Sequence, residues 1–205
     1  MEFDHFGHDS ATSKAIAKLE ELGQRWDSEH PENRLRQIHR EAARFLWTTT
    51  FACAPRFALE VGGGSGYSTL WIASALRKVG GHLVSVEVDA DKRLLAESAL
   101  ASANLSTDVT LCGERLSDQF MRTHFPAGLQ LCFLDCWKQD YRPSLEIALP
   151  YLTKNALIVA DNAVSHESKL EEFFDYILEL SKQGVARAAL IPVGEGLLVV
   201  SVLKR

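Results

Sequence analysis

Short apolar runs alternate with amphipathic stretches along most of this chain. Five runs of strand length are each followed by a polar or glycine-rich turn and then by apolar residues at helical spacing. This alternation is typical of a doubly wound α/β domain, in which helices cover both faces of a parallel sheet. The five predicted parallel strands cover residues 57–61, 82–88, 109–112, 130–134 and 157–160.

The two ends of the chain depart from this alternation. Two amphipathic helices are predicted before the first strand, over residues 11–26 and 32–52, the second opening after Pro31. After a last helix over 169–182, two β-rich segments at 188–192 and 197–203 flank a glycine-containing turn. We therefore predict five parallel strands extended by a C-terminal antiparallel hairpin, with residues 1–52 as a helical N-terminal cap that serves as a lid.

Length and charge narrow the class of protein. With 205 residues and 46% hydrophobic composition, the chain can bury the core of one domain, predicted over residues 1–205. A net charge of -5 gives no basic field for a polyanion, so we expect a small-molecule partner and no nucleic acid. No apolar run approaches the roughly 18 to 20 residues of a membrane span, and the start lacks the regions of a secretion signal. Four cysteines without CxxC spacing suit a reducing cytoplasm, which is the predicted location.

The segment FALEVGGGSGYSTL carries the first chemical signal. An apolar strand ends at Val61 and runs through Gly62, Gly64 and Gly66 into a helix. Such glycines let backbone N–H groups and a helix N-terminus approach a ligand closely, although the loop alone could be a tight turn. Glu87 follows about 20 residues later at the end of the next strand, where a carboxylate can bind ribose hydroxyls. Because the spacing is GxGxG and not GxGxxG, a methionine-derived cofactor is favoured over a dinucleotide.

The next two strands end in polar residues. Asp135 follows the fourth predicted strand, and Asp161 and Asn162 follow the fifth. Each aspartate alone is more often a helix N-cap. Together they lie at the same sheet edge, where the carboxyl ends of parallel strands meet, and their oxygens suit a hard ion such as Mg²⁺.

At these motifs the chain resembles the catechol O-methyltransferase-like family, the metal-dependent branch of the class I methyltransferases. The resemblance rests on the glycine loop, the D-x-W-K stretch at 135–138 and the D-N pair at 161–162, and it extends from about residue 34 to the C-terminus. It implies a Rossmann-like methyltransferase fold that binds S-adenosylmethionine and Mg²⁺ or another divalent cation. It also implies a possible homodimer, formed through the N-terminal helices.

The resemblance assigns one group of residues to the cofactor. Glu87 is expected to hold the ribose, and Gly113 with Glu114 forms a candidate pair for the adenine. Tyr67 stands at the first turn of a helix, where it could equally pack against the sheet. The implied cofactor-binding residues are Glu60, Gly62, Gly64, Gly66, Tyr67, Ser68, Glu87, Val88, Gly113, Glu114, Asp135 and Trp137.

A second group of residues is assigned to metal and catalysis. Asp135, Asp161 and Asn162 match the family's metal ligands, and Lys138 matches the lysine that takes the acceptor's proton. A phenol with a pKa near 10 is mostly protonated at neutral pH, so its anion must be stabilised, and Asp135 and Lys138 are the predicted catalytic residues. Trp137 is either a wall of the acceptor pocket or a core tryptophan.

Departures from the family pattern bear on the acceptor. Leu198 stands where the family's catechol enzymes have a glutamate, and His166 replaces a proline, so catechol itself is not the expected acceptor. Glu195 could substitute for that glutamate or be a solvated turn residue. We predict an O-methyltransferase acting on a hydroxyl of a small phenolic or catechol-like molecule. The alternatives are a noncatalytic S-adenosylmethionine-binding partner subunit and an NAD-dependent oxidoreductase.

Overall fold

The computed structural model describes residues 8–203, so residues 1–7 of the predicted cap lie outside the described part of the chain. Its strands are β1 Phe57–Val61, β2 His82–Val86, β3 Val109–Cys112, β4 Leu129–Leu134, β5 Leu152–Ala160, β6 Ala186–Ile191 and β7 Leu197–Val202. Its helices are α1 Ser10–Glu29, α2 Arg40–Cys53, α3 Tyr67–Val79, α4 Ala90–Ser102, α5 Asp118–His124, α6 Tyr141–Ala148 and α7 Glu171–Lys182.

The strands form one mixed sheet in the order β3-β2-β1-β4-β5-β7-β6. Strands β1 to β5 are parallel, and β7 inserts antiparallel between β5 and β6. This confirms the predicted fold of five parallel strands with a C-terminal antiparallel hairpin. The strand order reverses between β1 and β4, and in open α/β sheets ligands bind at the carboxyl ends of the strands beside such a reversal.

Helices bury both faces of the sheet. On one face α1 to α4 form a core with β1 and β2 that includes Trp71 and Leu76, and on the other α5 to α7 form a core that includes Tyr141 and Phe173. Helix α3 is buried from Tyr67 to Leu76 because α1 and α2 cover its outer side. Within residues 8–203, no helix has the length and apolarity needed to cross a membrane.

The N-terminal region departs from the predicted elements. The second helix was predicted from residue 32, but it begins at Arg40, and residues 31–39 form an irregular segment. Arg36 has a φ of 52°, a left-handed conformation that a right-handed helix excludes. The segment is fixed by tertiary contacts, because Asp27 Oδ1 accepts a hydrogen bond of 2.6 Å from Leu35 N. The apolar spacing of Leu35 and Ile38 therefore marks two buried anchors and not a helix.

Strand boundaries also shift where burial is uneven. Strand β5 was predicted over 157–160 but begins at Leu152. The prediction missed its first residues because Lys154 and Asn155 face solvent and break the apolar pattern. Strand β2 ends at Val86, two residues before the predicted end, so Glu87 and Val88 lie beyond the strand.

The loop after β1 passes very close to the end of β4. Gly62 has a φ of 96°, and a Cβ there would lie 2.2 Å from the Asp135 carbonyl oxygen. Gly66, the residue before α3, has a φ of 89°, and its Cβ would lie 2.8 Å from Ala96 Cα. Only glycine permits both the positive φ and the close backbone approach. The two loops that carry candidate chemistry are therefore held against each other.

Replacing Gly62 by alanine tests this constraint. Gly80→Ala is the matched control, since Gly80 has a φ of 74° but nothing within 4 Å of the position that a Cβ would take. We expect Gly80→Ala to lower the free energy of unfolding by about 1 kcal/mol, the cost of a left-handed alanine. Gly62→Ala should cost at least about 3 kcal/mol, because a steric overlap is added. Urea denaturation measures both, and equal costs would contradict the close approach.

Candidate active site

A cleft lies at the carboxyl ends of the central parallel strands. Its walls come from the loops after β1, β2, β3, β4 and β5 and from the segment that precedes α2. Its volume is about 1390 Å³. Because one small-molecule ligand typically occupies a site of about 300–1,000 Å³, the cleft has room for a cofactor and an acceptor together.

The cleft brings together most of the residues assigned from the sequence. Those on its walls are Gly62, Gly64, Tyr67, Ser68, Glu87, Val88, Asp135, Trp137, Lys138, Asp161 and Asn162. Four of the residues assigned to the cofactor lie outside these walls, namely Glu60, Gly66, Gly113 and Glu114. The structure gives each of these four a different place.

Glu87 is fixed where the glycine loop meets the end of β2. Gly64 N donates to Glu87 Oε2 at 2.9 Å, and Asp89 N donates to Glu87 Oε1 at 2.8 Å. Val88 beside it leaves 48% of its surface exposed. A fixed carboxylate next to an exposed apolar side chain can accept from sugar hydroxyls while an aromatic base packs alongside.

Glu60 lies beneath the loop. Its side chain is fully buried, and its carboxylate accepts three hydrogen bonds of 2.6 Å, from Ser68 Oγ, Thr69 Oγ1 and Ser85 Oγ. Burial raises the pKa of Glu60, and these hydroxyl donors oppose that rise. Glu60 is thus enclosed by protein, and its assignment to the cofactor stays a prediction. Glu60 supports the loop from below by joining β1 and β2 to the start of α3. Gly66 serves the packing of α3 on α4.

The loop after β3 also differs from the prediction. Gly113 packs against Arg93, since a Cβ there would lie 2.7 Å from Arg93 Cζ. Arg115 and Leu116 line the cleft in place of Gly113 and Glu114, and Arg115 Nη1 lies 3.4 Å from Asp140 Oδ2. The cleft wall after β3 therefore begins two residues beyond Gly113, and the assignment of Gly113 and Glu114 to the adenine stays a prediction. The sequence signal was an irregular spacing around Cys112.

Five polar residues meet where β4 and β5 end. Lys138 Nζ lies 3.5 Å from Asp135 Oδ1 and donates to Asn162 Oδ1. It also donates to the Tyr141 hydroxyl at 2.8 Å, which in turn donates to the Asp161 carbonyl oxygen at 3.2 Å. Asp161 Oδ1 is buried and has no hydrogen-bond partner in the described protein. The cluster thus leaves one buried carboxylate oxygen unsatisfied.

The charges of this cluster are unbalanced. Burial raises the pKa of Asp135, and the neighbouring Asp161 carboxylate raises it further. Burial likewise raises the pKa of Asp161. Among the ion pairs of the described residues, one reaches these two carboxylates, and it joins Lys138 to Asp135. Since an unpaired buried carboxylate is costly, the cluster fits a further cation.

The donor set indicates which cation fits. Two carboxylates and the amide oxygen of Asn162 suit a hard ion that completes its shell with water or ligand oxygens. Within residues 8–203 there is no group of three histidine, cysteine, aspartate or glutamate side chains that could hold a metal. A transition-metal cage is therefore absent from that part of the chain.

The far end of the cleft has an aromatic wall. Trp137 leaves 63% of its surface exposed, so it is not a core tryptophan, and Arg36 Cζ lies 6.0 Å from the centroid of its ring. Glu195 accepts a 2.8 Å hydrogen bond from Asn162 Nδ2 and lies 3.8 Å from His166 Nδ1. The turn carrying Glu195 thus belongs to the site, whereas Leu198 is buried in β7, outside the cleft walls.

Sequence reasoning missed the segment before α2. Arg36, Gln37 and His39 line the cleft, although this stretch was predicted to be helical. No motif marks these residues, since their position depends on contacts such as the 3.3 Å hydrogen bond from Gln37 Nε2 to Ser65 Oγ. Residues so placed by tertiary contacts leave no local signal in the sequence.

A family model described as a methyltransferase domain matches residues 59–163, which include the glycine loop and the cluster at the ends of β4 and β5. The chain therefore belongs to the methyltransferase domain family. It is also 30% identical over 131 residues to a catechol O-methyltransferase of Niastella koreensis, a match that covers 63% of this chain. The match spans 59% of that protein's length.

Solved structures share the fold across nearly the whole chain. An O-methyltransferase from Bacillus cereus in complex with S-adenosylhomocysteine superposes with a TM-score of 0.77 at 21% identity, covering 92% of this chain and 90% of that one. The O-methyltransferase TomG from Streptomyces achromogenes, in complex with S-adenosylmethionine, gives 0.74 at 23% identity, covering 96% and 91%. These likenesses establish a Rossmann-like methyltransferase fold.

Glu60→Gln tests the support beneath the loop. The amide keeps one acceptor oxygen but turns a donor toward hydroxyl groups that already donate, so we expect a loss of about 2–4 kcal/mol in unfolding free energy. Glu97→Gln is the control, because Glu97 is exposed on α4. Chemical denaturation gives both values. A Glu60→Gln variant as stable as Glu97→Gln would show that the hydrogen-bond network contributes nothing measurable.

Proposed function

We propose that this chain is an S-adenosylmethionine-dependent O-methyltransferase that methylates a hydroxyl of a small phenolic or catechol-like molecule with the aid of a bound Mg²⁺ or similar cation. The observation that carries the proposal is the unsatisfied Asp161 Oδ1, buried beside Asp135 and Lys138. It adjoins a glycine loop of the kind that holds a nucleoside cofactor. Membership of the methyltransferase domain family and the related catechol O-methyltransferase support the reaction class.

The cofactor is assigned to the loops after β1 and β2. Gly62 and Gly64 leave the backbone open to a ligand, and Glu87 is positioned to accept from the ribose hydroxyls. Val88 and Leu116 offer apolar contact to the adenine. Because the methyl group is already activated by the sulfonium, the protein has to align it with the acceptor and exclude water.

The cation is assigned to Asp135, Asp161 and Asn162. The fit rests on the partnerless Asp161 Oδ1 and on the two carboxylates, whose pKa values are raised chiefly by burial. A bound Mg²⁺ supplies Lewis-acid stabilisation of a developing oxyanion. Asn162 is held for this role by its side-chain bond to Glu195.

Lys138 is assigned as the base. Its Nζ lies among Asp135, Asn162 and the Tyr141 hydroxyl, at the point where an acceptor hydroxyl would meet the cluster. In its neutral form the Lys138 amine would take the proton of the acceptor hydroxyl, and a bound S-adenosylmethionine would supply the methyl group to that oxygen and leave as S-adenosylhomocysteine. Trp137 offers its exposed ring as the wall against which an aromatic acceptor packs.

The remaining alternative is a noncatalytic partner subunit that keeps the cofactor site, since fold alone does not establish catalysis. Membership of the methyltransferase domain family disfavours the NAD-dependent oxidoreductase. The homodimer and the cytoplasmic location stay predictions.

Ligand binding and turnover test the proposal together. Isothermal titration is expected to show binding of S-adenosylhomocysteine and none of NADH. Methyl transfer to a panel of vicinal-diol phenols is expected with Mg²⁺ and lost with EDTA. Absence of S-adenosylhomocysteine binding would remove the proposal. Turnover that persists in EDTA would remove the metal role of Asp135, Asp161 and Asn162, and binding without turnover would favour the noncatalytic subunit.

Lys138→Gln tests the base. We expect kcat to fall by about 10²- to 10⁴-fold, the usual range for a lost general base, while S-adenosylhomocysteine affinity changes by less than about threefold. Lys154→Gln is the control, because Lys154 is exposed on β5 and lies outside the cleft walls. Steady-state kinetics and titration give the two readouts. An unchanged kcat would assign Lys138 a structural role.

A further inference from the structure

A positive charge without a carboxylate partner stands at the aromatic end of the cleft. Arg36 is exposed, lines the cleft and places its guanidinium 6.0 Å from the centroid of the Trp137 ring. Within residues 8–203, no carboxylate lies within ion-pair distance of it. Arg77, Arg115, Arg122 and Arg142 all have such partners. Arg36 is therefore available to an anion from outside the protein.

The acids around it are already engaged. Asp140 pairs with Arg115, Glu195 accepts from Asn162 and Ser165, and Asp27 accepts from Leu35 N. Three positively charged side chains, those of Arg36, Lys138 and Lys169, line the same cleft.

The backbone holds Arg36 in this position. Its φ of 52° lies in the left-handed region, where a residue other than glycine persists only if its neighbours fix it. Leu35 N is bound by Asp27, and Gln37 Nε2 donates to the Leu19 carbonyl oxygen at 2.9 Å. Such conformations are concentrated at ligand-binding positions.

The Arg36 side chain lies near Trp137, which is assigned both to the cofactor and as a wall of the acceptor pocket. The neighbours of Arg36 on both sides contact the glycine loop, since a Cβ on Gly64 would lie 3.9 Å from the Leu35 carbonyl oxygen and Gln37 bonds Ser65. Along the chain, Trp137 stands between the assigned metal ligand Asp135 and the assigned base Lys138. An aromatic acceptor packed on Trp137 would present its far substituent to the guanidinium.

We infer that Arg36 is a specificity-determining residue that binds a carboxylate of the acceptor, so that the preferred acceptor is a hydroxylated aromatic acid and not a neutral phenol. The inference rests on the proposed function. It adds a substrate class to that function: the anion is bound at one end of the acceptor, and the reacting hydroxyl at the other.

Two probes with the same ring and hydroxyls separate the contribution of charge. They are 3,4-dihydroxybenzoate and its neutral methyl ester, titrated into the protein with S-adenosylhomocysteine and Mg²⁺ present. We expect the unmodified protein to bind the acid at least about tenfold more tightly than the ester, in a salt-dependent manner. Arg36→Gln should weaken acid binding by about 10- to 100-fold, as expected for a charge-assisted hydrogen bond, and leave ester binding within about threefold.

Two further variants sharpen the test. Arg36→Lys keeps the charge and should retain part of the preference for the acid. Arg25→Gln removes an exposed arginine on α1 that lies outside the cleft walls, and it should leave both affinities unchanged. With methyl transfer, the effect of Arg36→Gln should fall on KM for the acid, with kcat nearly unchanged.

Three outcomes overturn the inference. The first is equal binding of acid and ester by the unmodified protein, and the second is an equal loss of both probes in Arg36→Gln, which would mark a structural role. The third is weakened S-adenosylhomocysteine binding with acid binding intact, which would assign Arg36 to the cofactor. Because recognition is measured by binding, failure of the proposed function is distinguishable: no methyl transfer to either probe, with Arg36-dependent acid binding retained, would remove the reaction and keep the anion site.

Discussion

The site depends on the close contact between the loop after β1 and the end of β4. With a Cβ on Gly62 placed 2.2 Å from the Asp135 carbonyl oxygen, the two backbones approach as closely as glycine allows. This contact lies where the strand order reverses, so the crevice that opens there has the glycine loop on one side and Asp135 on the other. A cofactor on the loop is thereby brought next to the charged cluster without any side chain between them.

The buried carboxylates of Glu60 and Asp161 differ in how many of their oxygens have hydrogen-bond partners. Glu60 is buried under the loop, and three hydroxyl groups donate to its carboxylate, so its burial costs little free energy. The same hydrogen bonds order the start of α3. Asp161 is also buried, but one of its oxygens has no partner. Asp161 Oδ1 is the carboxylate oxygen that the described protein leaves open, and the proposed cation site depends on it.

The sequence predicted those parts of the site that depend on local geometry. Gly62, Glu87, Asp135 and the Asp161–Asn162 pair all follow strands directly, and parallel strands bring their carboxyl ends to one edge, so order along the chain determines proximity. Gly113 and Glu114 lie just before the residues after β3 that line the cleft, Arg115 and Leu116, so their assignment to the adenine stays a prediction. The helix predicted from residue 32 was wrong because contacts distant in sequence, such as Asp27 with Leu35, override local propensity.

The strand ends and the irregular segment before α2 differ in how readily their residues can be replaced. The residues that we assign to cofactor and metal are attached to strand ends, which tolerate little movement because both sheet faces are packed. Arg36 stands on an irregular segment that is held by a few hydrogen bonds, and loops of that kind accept substitution more readily than a packed strand. Recognition of the acceptor can therefore change while the reacting geometry is preserved. In the function that we propose, the strand ends carry the reaction and the segment before α2 recognises the acceptor, so this separation follows from where the backbone is rigid.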